Sequence, residues 1–125
     1  MRLLRPVLFT ICGMCFMFWG PWAARAAHVA SGKALYQQYC SACHGPQGKG
    51  NGPAAAAMRP KPRDHTDGTY MNTLDDMHLR KVIGEGGTAV GRSPLMPSWD
   101  TPLTPEQISD VIAYLRMLAI PAYQP

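Results

Sequence analysis

Apolar residues recur at helical spacing in three stretches of the chain. The clearest is the last, where Ile108, Val111, Ile112, Leu115 and Leu118 fall on one face. Its start is marked three times over. Thr104 stands at the N-cap, Pro105 at the first helical position, and Gln107 completes a capping box. Leu103 and Ile108 form a hydrophobic staple across that cap, and Pro121 ends the helix just beyond Ala119. A shorter stripe, Leu79, Val82 and Ile83, predicts a helix over 75–83, with Asp75 as its N-cap and Leu74 and Leu79 as its staple. Gly84, Gly86 and Gly87 stop it. A third helix is predicted over His28–Tyr39, with Ala34, Leu35 and Tyr39 toward the core. Gly32 in that helix costs about 1 kcal/mol relative to alanine, which suits a place where another helix comes close. Tyr36 is four residues on, on the same face.

No stretch alternates apolar and polar residues over a useful length, so the expected fold is all-α, with three main helices and long loops. The longest loop runs from Gly45 to Asn72. Gly45, Gly48, Gly50 and Gly52 punctuate its start, and Pro53 to Met58 reads as one helical turn. Pro60-Lys61-Pro62-Arg63 cannot be a helix interior and reads as an extended basic segment. So long an irregular connection in a small domain is expected to serve a site.

The first quarter has a different pattern. Arg2 and Arg5 form a basic head, Val7–Trp19 is almost wholly apolar, and Ala24-Arg25-Ala26 has small residues where signal peptidase reads. Residues 1–26 are therefore expected to be a cleaved signal peptide. The apolar core is shorter than the roughly 20 residues a membrane span needs. If uncleaved, the segment would be an anchor instead. Cleavage leaves 27–125 as one domain, exported to the periplasm. It also changes the charge. The whole chain is +4, but Arg2, Arg5 and Arg25 leave with the leader, so nine basic residues face eight acidic ones. No basic stripe remains, and a nucleic-acid partner is not indicated.

Of the four cysteines, Cys12 and Cys15 lie inside the apolar leader and read as fillers. The other two stand in Cys40-Ser41-Ala42-Cys43-His44. Two thiols at i and i+3 followed by histidine form the attachment pattern of a c-type haem. The thiols can add to the two vinyl groups of one porphyrin, and the histidine can bind the iron. Redox dithiols and zinc half-sites share Cys-x-x-Cys alone, and an exported pair without a cofactor tends toward a disulfide. The histidine favours haem, one per chain, held through Cys40 and Cys43.

An electron-carrying haem iron needs a second protein ligand, and methionine sulfur favours the ferrous state. Met58 and Met71 lie in the long loop, and Met77 and Met117 in helices where packing is the ordinary role. His28, His65 and His78 are further candidates, His78 reading as a solvent-side helical residue. Met96 is favoured by context. Pro94 and Pro97 flank it and lower the entropy of holding one side chain at one point.

The order of these features resembles the class I cytochrome c family, the small single-haem bacterial carriers, over nearly all of Val29–Leu118. The resemblance implies that His44 and Met96 are the axial ligands. It also implies that the carbonyl of Pro53 accepts the outer N–H of His44, and that Arg63 and Trp99 lie near the haem propionates. The first and last helices would cross where Gly32 gives room for Tyr114. The segment from Pro60 to Gly68 is similar to one in a bacterial subgroup that usually has phenylalanine where this chain has His65. That departure leaves open an occasional ligand role for His65.

The function expected is periplasmic electron transfer, not catalysis, between periplasmic or membrane-bound redox partners. The protein would be a monomer or a subunit of a redox complex. A fixed haem subunit of a larger oxidoreductase or oxidase is the first alternative. A haem-based gas sensor or small peroxide-active enzyme is the second, and it needs an open distal position.

Overall fold

The computed structural model describes residues 21–124. The apolar stretch 7–19, and with it most of the expected signal peptide, lies outside them. Helix α1 spans Pro21–Tyr39, and a single helical turn, α2, covers Ser41–His44. A 3₁₀ turn follows at Pro53–Ala57, a short helix α3 at Gly68–Met71, and α4 at Asp76–Glu85. A second 3₁₀ turn covers Gly87–Val90, and α5 spans Pro105–Leu118. Among the described residues there is no strand, only one isolated bridge between Asp67 and Ile120. No described helix is long and apolar enough to cross a membrane.

The predicted starts of α4 and α5 are formed by the expected chemistry, whereas α4 runs on through Gly84 to Glu85 and stops at Gly86. The Asp75 carboxylate accepts from the His78 backbone N–H, and Thr104 and Gln107 make the reciprocal capping box. Leu79, Ile83, Ile108, Val111, Ile112 and Leu115 are buried together, with Leu103 closing the base. Helix α1 begins seven residues earlier than His28, because Trp22–Ala27 is dominated by alanine and arginine, which hold a helix without packing. Residues 22–28 are all exposed.

Helix α1 crosses α5 at Gly32. A Cβ there would overlap the carbonyl of Asp110 and press on the backbone N of Val111. The glycine thus makes room for the α5 backbone, and not for the Tyr114 ring as the resemblance implied. Tyr36 is 0% exposed and rests against Tyr114, ring centroids 5.3 Å apart. It takes the buried place expected of Ala34, which is exposed. The short α3 was expected as loop. It forms because Asp67 accepts from the backbone N–H of Tyr70, and the Gly68 N–H donates to Ile120 O at 3.0 Å.

Candidate haem site

The thiol pair stands on the turn that follows α1. The backbone N–H groups of Cys43 and His44 both donate to Cys40 O, at 3.2 and 2.9 Å, which puts the i and i+3 thiols on one side. Both thiols are free and half-buried. Burial, with Cys43 next to it, pushes the Cys40 thiol up to about 12. A redox dithiol works through a lowered thiol pKa, so this environment is wrong for that chemistry. Among the described residues no group of three or more His, Cys, Asp or Glu side chains is placed to hold a bare metal ion.

The chain turns under the motif at Gly45, whose φ of 80° a side chain would oppose. Tyr36 Oη donates to Gly45 O at 3.0 Å and fixes that corner to α1. The loop then folds back along the motif, with Gly52 N donating to Cys43 O and Gly50 N to His44 O. Gly50, at φ +69°, lies so close to the Pro62 carbonyl that a Cβ would overlap it. This close approach brings the extended basic segment across His44.

There the His44 Nδ1 lies 2.9 Å from Arg63 O. A carbonyl can only accept, so Nδ1 carries the proton and the lone pair sits on Nε2. Burial lowers the His44 pKa, opposed by this hydrogen bond, so the imidazole is held neutral as a ligand must be. The resemblance gave this bond to Pro53. In the structure Pro53 opens the 3₁₀ turn and is exposed, and it is the Arg63 carbonyl, from the end of the Pro60–Arg63 segment, that reaches Nδ1.

One cavity of about 440 Å³ gathers most of the remaining residues. Cys40, Cys43, His44, Arg63, Met96 and Trp99 all line it, and Pro53 does not. The Met96 segment is clasped to the end of α4. Gly87 N donates to Met96 O at 2.9 Å, and Ser98 Oγ donates to Gly84 O at 2.6 Å. Trp99 packs on Tyr39, centroids 5.4 Å apart. The lining is mainly apolar, its cations are Lys61, Arg63 and Arg92, and it holds no aspartate or glutamate. The Arg63 guanidinium sits 4.0 Å from the Tyr70 ring centre, and Arg92 makes a long 3.4 Å contact to Tyr70 Oη. An apolar ring bearing two carboxylates fits such a space, with thiols, a lone pair and a thioether on its walls.

The other ligand candidates separate by position. His28 lies away from the cavity, its Nδ1 2.6 Å from Asp110 Oδ1. Met77 and Met117 pack little, being 79% and 61% exposed. Met58, Met71 and His78 line the cavity, so His78 does not have the solvent-side place its helix position suggested. His65 is buried and stacked face to face on His44, centroids 4.2 Å apart and planes within 19°. So placed, His65 lies beside His44 and lines the cavity with it. Tyr70, Lys61 and Arg92 were missed by sequence reasoning, since nothing in their local pattern tells that they meet at one rim.

Fold and site together define a helical domain built around a covalent haem. The cytochrome c family profile matches residues 29–119, and the chain belongs to that family. Its haem is attached through Cys40 and Cys43. The chain is 31% identical over 96 residues to a quinohemoprotein alcohol dehydrogenase, ADH IIB, of Pseudomonas putida, covering 76% of this chain and 12% of that protein. It is 30% identical over 90 residues to the cbb3-type cytochrome c oxidase subunit FixP of Bradyrhizobium diazoefficiens, covering 72% of this chain and 27% of the subunit. The chain thus spans about a quarter or less of these relatives' length. Among solved structures it is similar to a chain of the Kuenenia stuttgartiensis reducing HAO-like protein complex, with TM-score 0.63 and 31% identity over 76% of this chain and 45% of that one. It is also similar to the KustC0563 c-type cytochrome, with TM-score 0.54 and 27% identity over 70% of this chain and 96% of that one.

Proposed function

We propose that this protein is an exported haem module of a larger respiratory oxidoreductase or oxidase, working in the periplasm after removal of residues 1–26. His44 and Met96 would hold its iron, since both line the cavity beside the thiol pair. The haem supplies a one-electron ferric–ferrous couple. The chain's own part is to hold the outer proton of His44 on the Arg63 carbonyl, to aim Nε2, and to keep water from the buried face with Trp99, Leu79 and Val82. Lys61, Arg63 and Arg92 offset the propionate charges.

The observation that carries the electron-transfer reading is the cavity in which Cys40, Cys43, His44 and Met96 face one apolar space. The choice of a fixed subunit over the free shuttle rests on the relatives. A dehydrogenase and an oxidase subunit both contain this unit as a minor part of a longer chain. The shuttle reading keeps one specific support, the KustC0563 c-type cytochrome, which is hardly longer than the matched region. Isolation of the haem protein from its native cells under mild conditions decides between them. Co-elution with a second redox protein at constant stoichiometry is expected. A haem protein that runs alone, and is reduced and oxidised by several unrelated partners at equal rates, would favour the shuttle.

A further inference from the structure

His65 is held on three sides. Its backbone N–H donates to Gly48 O at 2.6 Å, its ring meets Tyr36 edge-on at 5.9 Å, and its face lies on His44 at 4.2 Å. Its Nδ1 is buried without a hydrogen-bond partner. A buried position used only to fill space is served better by an apolar residue, because an orphaned nitrogen costs stability. What the planar ring gives, and an aliphatic one cannot, is a flat wall parallel to the His44 imidazole. A turn of His44 about its Cβ–Cγ bond would carry Nδ1 out of line with Arg63 O.

We propose that His65 is a positioning residue that fixes the plane of the His44 imidazole, and through it the His44–Arg63 hydrogen bond. This rests on the reading of His44 as the iron ligand. With the plane fixed, the Nδ1–H bond to Arg63 O passes electron density to Nε2 and stabilises the ferric state. Without the wall, the ring samples several orientations, the bond lengthens, and the ferric state loses part of that support.

The test compares His65→Leu, His65→Phe and His65→Ala in the exported, haem-loaded protein. The rhombic splitting of the ferric low-spin resonance depends on the imidazole plane, because its π orbital lifts the degeneracy of the iron dπ pair. His65→Leu is expected to broaden and shift that signal and to raise the reduction potential. His65→Phe is expected to restore both to wild-type values, since it keeps the flat face. His65→Ala is expected to act as His65→Leu. If it does not fold, the leucine and phenylalanine variants still decide. Wild-type spectrum and potential in His65→Leu would overturn the proposal, and so would failure of His65→Phe to restore them. His44→Gly, with and without added imidazole, separates the two readings. A low-spin signal that survives His44→Gly without imidazole removes His44 as ligand. A signal lost there and restored by imidazole, with no effect of His65→Leu, removes only the role of His65.

Discussion

Gly32 of α1 faces the carbonyl of Asp110 on α5 with no room for a Cβ between them, so the two helices cross backbone to backbone. Any Cβ at Gly32 must push the helices apart at the point where Tyr36 and Val111 are fully buried. Gly32→Ala gains about 1 kcal/mol of helix propensity, but the overpacking costs about 1–3 kcal/mol or more, because backbone cannot move aside as a side chain can. A net loss of stability is expected. Denaturant unfolding of the haem-loaded protein should show a lower midpoint, and an unchanged midpoint would sink the assignment of the crossing.

Arg116 is an unusual buried cation on α5. Its guanidinium donates to Met71 O at 2.9 Å, to Leu74 O at 2.6 Å and to Asp76 Oδ1 at 2.7 Å, and it sits 3.8 Å from the Tyr123 ring centre. It ties the end of α3, the start of α4 and the C-terminal tail to α5. The two ion-pair partners are not equivalent, as the Arg116 side chain is 7% exposed and that of Asp76 58%. Arg116→Met is expected to cost about 2–4 kcal/mol, since charge-assisted bonds are lost and the Leu74 carbonyl loses its donor. Asp76→Asn should cost less than about 1 kcal/mol, because an exposed carboxylate gains little from its pair. Equal losses in the two variants would show that the ion pair, and not the carbonyl contacts, carries the clamp.

Asp64 gives the long loop a pH dependence. Its Oδ1 accepts from Thr66 Oγ1 at 2.6 Å and from Thr66 N at 2.8 Å. The Thr66 hydroxyl bond, more than any other contact, holds its pKa below the ordinary 3.8. A carboxyl with a lowered folded-state pKa contributes stability that is complete above its unfolded value and is lost as pH falls through the folded one. The acid limb of a stability–pH curve should therefore steepen below about pH 4 in the wild type. Asp64→Asn should flatten that limb and leave stability near pH 7 little affected by titration. An acid limb of identical slope in both proteins would exclude the contribution.

The orphaned His65 Nδ1 makes a separate stability claim. His65→Phe removes an unsatisfied buried nitrogen while keeping the ring, and is expected to stabilise the folded protein by about 1 kcal/mol. A midpoint lower than wild type in denaturant would mean that the nitrogen does have a partner in solution.

What was legible in the sequence was local. Thr104, Pro105 and Gln107 define the start of α5 through contacts within four residues, so the pattern alone located it. The haem motif was equally local, since one turn brings Cys40, Cys43 and His44 together. The acceptor for His44 was not legible from local pattern. Pro53 and Arg63 are both distant in sequence, and which carbonyl reaches Nδ1 depends on Gly50 letting the Pro62 backbone come close. The inward place of His78 and the rim formed by Tyr70, Lys61 and Arg92 likewise arise only when α3, α4 and the loops meet. The extra helical turns from Pro21 carry no periodic apolar stripe, and only the propensity of their alanines and arginine marks them in the sequence.

Met96 remains to be set against the other sulfur and nitrogen donors that share its cavity. Its backbone is anchored through Gly87 N, and the flanking Pro94 and Pro97 limit how far the segment can move. A thioether ligand stabilises ferrous iron, so its loss should lower the reduction potential. Met96→Ala is expected to abolish the weak long-wavelength band of sulfur-bound ferric haem, to lower the potential, and to let carbon monoxide bind the ferrous protein rapidly. Met58→Leu and His78→Leu should do none of these, although both residues line the same space. If Met96→Ala keeps its spectrum and potential while one of the other two loses them, that residue is the distal ligand. If the unaltered ferrous protein already binds carbon monoxide rapidly, its distal position is labile, and the gas-sensing or peroxide-active reading displaces electron transfer.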